Sequence, residues 1–310
     1  SYNDVRPPGG FQLLLRQGVE TSVGNPLAEP GGISVPFAPL GPARGTALGG
    51  VEVPFFMAKY LVTGGAGFIG SHACKALAEA GLPVVEGNPR LGACVRGVGK
   101  FICIGLNYSD HVKELSKELT ITTKDEPLVF LKGPGAVIGH RGFTRRPAGV
   151  SFMHYECELA VVIGKPAHEV RAAEAMQHVA GYTVCNDYAI RDYLENWYRP
   201  NLRVKNRDTG TVLGPWLVDA EDVPHPHDLA LRTLVNGKVT QQGHTGNMIN
   251  DIPALIEYLS GFMTLAPGDV ILTGTPEGVV NVNVGDEVVT EIDGIGRLVN
   301  TIVGDEAFGR

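Results

Sequence analysis

No stretch of this 310-residue chain approaches the roughly 18 consecutive apolar residues of a membrane-spanning helix, and its first twenty residues lack a secretion-signal pattern. Cysteine is scarce. The five that occur (Cys74, Cys94, Cys103, Cys157 and Cys185) are odd in number and show no CxxC or CxxH spacing. That pattern argues against a disulfide framework and against a zinc site, and for reduced thiols. Excess positive charge is also missing: 26 Lys and Arg against 33 Asp and Glu leave a net charge of −7. Nucleic acid and anionic membrane surfaces therefore gain no support as partners. With 44% hydrophobic and 19% charged residues, the expectation is a soluble, cytoplasmic, globular protein.

Glycine and proline are plentiful but unevenly placed. Residues 1–56 hold ten Gly and eight Pro, in stretches such as "RPPGG", "EPGG" and "APLGPARG", and read as an N-terminal extension rich in turn chemistry. Residues 57–88 change character. "KYLV" reads as a strand, "TGGAGFIG" as a glycine turn, "SHACKALAEAG" as an amphipathic helix and "LPVV" as a second strand. This opening of a βαβ unit resembles the start of a nucleotide-sugar epimerase, with Gly64, Gly67 and Gly70 where a pyrophosphate would approach a helix N-terminus. The resemblance stops there. One βαβ unit cannot enclose a dinucleotide, and no tyrosine in the chain has a lysine four positions later, so the Tyr-x-x-x-Lys pair of such enzymes is absent. The segment is expected to be a Rossmann-like fragment, an insertion or fusion, without NAD function.

Residues 89–310 read as a further domain, of α+β class and mainly β. "FICIGL", "PLVFLK", "CELAVVIG" and "GYTVCND" read as strands, and "EVRAAEAMQHVAG" as a helix ending on Gly181. "IRDYLENWY" also looks helical, and "DIPALIEYLSGFM" reads as a helix capped by Asp251. "DEVVTEIDGIGRLVN" reads as a hairpin across Asp293-Gly294.

Within "HYECELAVVIG" an apolar strand carries Glu156 and Glu158 two residues apart, so both carboxylates share a face. Buried and unpaired, each would cost several kcal/mol. An exposed polar face, a pair of cations or a bound metal would resolve the conflict. Asp187 closes "GYTVCND" 31 residues after Glu156, and three convergent carboxylates suit Mg²⁺ or Mn²⁺. Three further stretches bear on the choice. In "GLNYSDHVKE", Asn107 and Tyr108 end a strand, and His111 and Glu114 follow at helical spacing, where the carboxylate can orient the imidazole. "RPNLRVKNRD" supplies Arg199, Arg203, Lys205 and Arg207, either a solvated basic face or recognition of an anionic substrate. "LTGTPEG" offers Thr273 and Thr275 beside backbone N–H groups, a plain turn or a carboxylate holder.

Taken in order, "GLNYSDH", "EPLVFLK", "HYECELAVVIG", "VAGYTVCNDYAIRDYLENWYRPNLRVKNRD", "LSGFMTLAPGDVILTGTPEG" and "GDEVVTEIDGIGRLVN" resemble the fumarylacetoacetate hydrolase family over roughly residues 89–305. The nearest likeness is to members that isomerise or decarboxylate 2-hydroxy-dienoic di- and tricarboxylates of aromatic catabolism. The resemblance implies a roll of mixed β-sheets with peripheral helices, usually a homodimer. It implies Glu156, Glu158 and Asp187 as ligands of Mg²⁺ or Mn²⁺, and His111, Glu114 and Lys205 as catalytic residues. Tyr108, Arg203 and Thr275 fall at substrate-binding positions, for a small anionic 2-oxo acid. Decarboxylation, isomerisation and C–C bond hydrolysis of an acylpyruvate or fumarylpyruvate would share a metal-stabilised enolate. The family pattern alone leaves that choice open, with decarboxylase/isomerase preferred.

Overall fold

The computed structural model describes residues 61–62, 84–85, 90–110, 126–194 and 201–309. The 1–56 extension, the glycine turn with its helix, His111 and Glu114 lie outside the described residues. The described residues divide into two units between Gly87 and Asn88. In the first, β1 (Leu61–Val62) and β2 (Val84–Val85) pair in parallel, at the positions given above to the strands flanking the glycine turn. Parallel neighbours need a crossover between them, which the intervening length allows.

In the second unit the chain forms β3 (Phe101–Gly105), β4 (Leu128–Lys132), β5 (Val137–Ile138), β6 (Phe143–Arg145) and β7 (Met153–His154). The long β8 (Cys157–Ile163) and β9 (Val179–Asp187) flank the short helix α1 (Ala172–Ala175). After β10 (Ala189–Ile190) come α2 (Leu202–Lys205), β11 (Thr211–Asp219), β12 (Ala230–Val235) and β13 (Lys238–His244). Helix α3 (Ile252–Ser260), β14 (Val270–Leu272), β15 (Glu287–Ile292) and β16 (Gly296–Val303) complete it. Seven strands form one sheet in the order β4-β3-β14-β8-β9-β11-β5, with β3/β14 and β11/β5 parallel and the other pairs antiparallel. Five form a second sheet, β13-β12-β15-β16-β6, and β7 pairs with β10 apart from both.

The central strands explain the core. All seven residues of β8 are buried, and their alternation splits them between two apolar clusters. Leu159, Val161 and Ile163 join the larger cluster with Tyr182, Val184 and the apolar face of α3. Ala160 and Val162 join the smaller one with Phe101, Cys103, Cys185, Leu213 and Leu272. Each buried Val, Leu, Ile or Phe side chain among them contributes about 1.5–3 kcal/mol by leaving water.

Glu158 and Asp187 stand on the face of the smaller cluster, two residues from Ala160 and Cys185 respectively. Lys132 stands on it too, two residues from Phe130 on edge strand β4. Yet Lys132 Nζ touches Asp187 on β9, four strands along the sheet. Strands lie about 4.8 Å apart, so a flat sheet would separate them by roughly 19 Å. The sheet therefore curls on itself, and the carboxylates lie on its concave side.

Several sequence expectations hold and others change. Asp251 caps α3, accepting a hydrogen bond from the Ala254 N–H at 2.9 Å. The hairpin turns at Gly294, whose φ is +71°. The predicted helix over "EVRAAEAMQHVAG" shrinks to α1 and one 3₁₀ turn, because Val179–Gly181 are taken into β9. Gly181 permits close strand approach rather than stopping a helix: a Cβ there would stand 2.0 Å from the Val218 carbonyl oxygen on β11. "IRDYLENWY" shows a 3₁₀ turn at Arg191–Tyr193, and residues 195–200 lie outside the described residues. "HYECELAVVIG" is not one strand. It breaks at Tyr155–Glu156, because β7 pairs with β10 while β8 pairs with β9.

Candidate metal centre

Glu156 lies at that break, opposite Asp187, whose N–H donates to the Glu156 carbonyl at 2.9 Å. Glu158 follows on β8 opposite Cys185. One ligand-capable oxygen from each of Glu156, Glu158 and Asp187 falls within 4.8 Å of the others, and all three residues are buried. Three carboxylates so placed need compensating charge.

Two lysines supply part of it. Lys205 Nζ, at the end of α2, donates to Glu156 Oε2 at 2.6 Å and to Asp187 Oδ2 at 2.8 Å. Lys132 Nζ donates to Asp187 Oδ1 and, at 3.4 Å, to the Gly210 carbonyl. Burial alone would raise the Glu156 carboxyl, but Lys205, then His154 and Arg191, outweigh it and hold the group at about 2. Burial would likewise lower the Lys205 ammonium, and Asp187, Glu156 and Glu158 together raise it instead.

Glu158 is different. Its Oε2 accepts the Gly274 N–H at 2.7 Å, and no lysine or arginine among the described residues forms an ion pair with it. Burial, then Asp187 and Glu156, push its carboxyl well above the ordinary carboxylate range. A buried, hydrogen-bonded carboxylate beside two others, without a cation of its own, is the donor set that a hard divalent ion would complete. These residues fit such an ion.

Other expected residues are placed variously. Tyr108 is fully buried, and its hydroxyl has no hydrogen-bond partner among the described residues. Burial, then Cys157 and Glu158, raise its pKa. Thr275 is buried and accepts from Gln241 Nε2 at 3.0 Å. The Thr273 hydroxyl is committed to the Leu159 carbonyl at 2.9 Å. Arg203 is not drawn to the carboxylates: it is exposed, with its guanidinium 4.7 Å from the Tyr193 ring centroid, a ring it shares with Arg207.

Lys132 was not singled out by sequence reasoning, although a lysine two residues beyond Phe130 on an apolar strand was the available signal. His154 was missed as well. Arg191 Nε donates to His154 Nε2 at 2.8 Å, so the remaining imidazole hydrogen sits on Nδ1, 3.0 Å from the Tyr155 carbonyl and 3.7 Å from Glu156 Oε1. Burial first, with Arg191 and Lys205 against Glu156, lowers this imidazole to about 3.

Residues 100–303 match the family model described as fumarylacetoacetate (FAA) hydrolase C-terminal. Residues 60–122 match the NAD dependent epimerase/dehydratase family, which agrees with the fragment read around the glycine turn. The 4-hydroxyphenylacetate degradation bifunctional isomerase/decarboxylase of Salmonella dublin is 59% identical over 209 residues, which are 67% of this chain and 48% of that protein. The chain thus spans about half the length of the first curated relatives it matches. Among solved structures, the 5-carboxymethyl-2-hydroxymuconate delta-isomerase of Mycobacterium smegmatis is 42% identical, with a TM-score of 0.60 over 69% of this chain and 82% of that one. The fumarylpyruvate hydrolase of Pseudomonas aeruginosa, solved with Mn²⁺ and pyruvate, is 30% identical, with a TM-score of 0.61 over 71% of this chain and 98% of that one.

Proposed function

This chain belongs to the fumarylacetoacetate hydrolase family, and from that premise we propose a divalent-metal-dependent isomerase/decarboxylase of 2-oxo or 2-hydroxy-dienoic di- and tricarboxylates. The observation that carries the reading is the buried Glu156–Glu158–Asp187 cluster with one carboxylate lacking a cation. The 59% identity to a 4-hydroxyphenylacetate degradation bifunctional isomerase/decarboxylase supports that substrate class. Glu156, Glu158 and Asp187 would hold Mg²⁺ or Mn²⁺, which would supply Lewis-acid stabilisation of developing negative charge on the substrate.

The chain's own residues do the rest. Lys205 holds Glu156 ionised, and Lys132 and Lys205, both on Asp187, lend positive charge to the concave face, which favours an anionic substrate. Tyr108 keeps a buried hydroxyl free for a substrate oxygen or a water. Thr275, which accepts from Gln241, keeps its own hydroxyl hydrogen to donate to a carboxylate. His111 and Glu114, on the sequence resemblance, are the pair that moves protons, and Arg203 an outer contact for a second carboxylate. In this reading residues 89–310 form the catalytic domain, and the enzyme works as a cytoplasmic homodimer.

A second reading, hydrolysis of an acylpyruvate or fumarylpyruvate, is favoured by the match that spans 98% of the fumarylpyruvate hydrolase chain. The test follows the ultraviolet absorbance of 2-hydroxyhepta-2,4-dienedioate and of fumarylpyruvate with Mg²⁺, with Mn²⁺, with EDTA and with Glu158→Gln. Turnover of the dienedioate that EDTA and the substitution both abolish is the expected result. Turnover of fumarylpyruvate alone would favour the hydrolase, and turnover that persists in EDTA would refute the metal centre.

A further inference from the structure

Asn107 takes no part in the chemistry proposed above, yet two residues beyond β3 its side chain makes four hydrogen bonds. Its Oδ1 accepts from the Asn250 N–H at 2.8 Å and from Asn250 Nδ2 at 3.2 Å. Its Nδ2 donates to the Asn250 carbonyl at 3.0 Å and to the Thr273 carbonyl at 2.9 Å. The amide orientation is fixed by these partners, since a backbone N–H can only donate and a carbonyl can only accept. Its own carbonyl accepts from Ile249 N–H at 2.7 Å, and the residue is 1% exposed.

The Thr273 carbonyl and the Gly274 N–H are two ends of one peptide unit. Asn107 Nδ2 holds the carbonyl end, and Glu158 Oε2 takes the N–H end at 2.7 Å. Gly274 has a φ of +93°, and a Cβ there would stand 3.0 Å from both Asn107 Cβ and the Ile104 carbonyl oxygen. Glycine leaves such a peptide free to turn over. Turned over, it would aim a carbonyl at the Glu158 carboxylate and repel it.

We infer that Asn107 is a positioning residue for the metal centre: by gripping the Thr273 carbonyl it fixes the peptide whose Gly274 N–H aims Glu158. The inference rests on the metal-centre reading above. Asparagine is needed rather than aspartate, because a carboxylate would oppose two carbonyl oxygens at once. Outer groups that orient a metal ligand typically change affinity by roughly 10- to 100-fold.

The test titrates Mn²⁺ alone into the metal-free full chain, read by loss of the free-ion electron paramagnetic resonance signal, and records each unfolding midpoint in EDTA. Asn107→Asp and Asn107→Ser are compared with Ile302→Val, a buried core deletion in the other sheet. The expected result is Mn²⁺ affinity weakened at least about 10-fold in both Asn107 variants. Ile302→Val should lower the midpoint and bind within about twofold of wild type. If Asn107→Asp does not fold, the milder Asn107→Ser carries the comparison. Wild-type affinity in the Asn107 variants that fold would overturn the inference, and so would an equal loss in Ile302→Val. A wild-type chain that binds no Mn²⁺ fails before any substitution and removes the metal centre itself.

Discussion

Replacing Lys205 by Met probes the charge balance of the site most directly. The Lys205 ammonium bridges Glu156 and Asp187 at 2.6 and 2.8 Å, and all three residues are buried. Methionine keeps the length and apolar stem of the lysine but removes the charge. Two buried carboxylates then lose their shared partner, and breaking such a pair costs about 3–5 kcal/mol. For a domain of this size each kcal/mol moves the midpoint by roughly 2–4 °C, so a fall of roughly 6–20 °C in EDTA is expected. Lys132 stays on Asp187, which places the effect toward the lower end. Without Lys205 the three carboxylates carry more uncompensated negative charge, so the variant should bind Mn²⁺ more tightly than wild type. At a hundred times Kd the ion adds about 2.7 kcal/mol, and tighter binding adds more, so the gap between the proteins should narrow when Mn²⁺ is present. Thermal unfolding by intrinsic fluorescence, in EDTA and across a Mn²⁺ series, reads both effects. A midpoint unchanged in EDTA would refute the buried-pair argument. Equal Mn²⁺ stabilisation of both proteins would refute the argument that Lys205 offsets charge the ion would otherwise meet.

Three further outcomes follow from the same geometry. Glu158→Gln removes one of three crowded carboxylates and keeps the acceptor for Gly274 N–H, so the metal-free midpoint should rise by about 1–2 kcal/mol equivalent while Mn²⁺ stabilisation disappears; a lower midpoint in EDTA would contradict the repulsion argument. His140 accepts the Val299 N–H through Nδ1, and burial, then Arg141 and Arg297, lower it to about 4. The unfolded chain therefore binds its proton first, and stability falls as pH drops from about 6.5 toward 4. His140→Gln should flatten that fall by up to about 1.4 kcal/mol per pH unit, and an unchanged slope in urea titrations would refute it. Gly181→Ala sets a Cβ 2.0 Å from the Val218 carbonyl oxygen and should cost roughly 1–3 kcal/mol or more by overpacking; a wild-type urea midpoint would show that β9 and β11 separate without cost.

The carboxylates were legible because their chemistry conflicts with their surroundings. Glu158 interrupts a run of buried apolar residues and Asp187 ends another, so a burial argument finds both from local sequence alone. The mainly β character was legible in the short β-rich runs from about residue 100 onward, and the roll of mixed sheets came from the family resemblance of the ordered blocks. Lys132 was not legible because its partner is 55 positions away along the chain and four strands along the sheet, and only the curl of the sheet joins them. The break between β7 and β8 escaped notice because alternation runs through it unchanged, while separate pairing partners create it. The helix expected up to Gly181 failed where strand pairing on both sides of β9 overrode local propensity. Asn107 was read as the end of a strand; its grip on Thr273 joins segments 166 residues apart, beyond any local pattern.

The curl of the seven-stranded sheet also bears on the order in which the protein assembles. Lys132 meets Asp187 only when the edge strand has been brought round to the centre of the same sheet. Such non-local closure comes at an entropic cost that neighbouring hairpins do not face. A chain that has paired β8 with β9 but has not wrapped holds its acids without this lysine. Ion-binding strength therefore serves as a gauge of how far closure has gone, and half-rolled species should separate from finished ones on a metal titration before they separate by secondary-structure content.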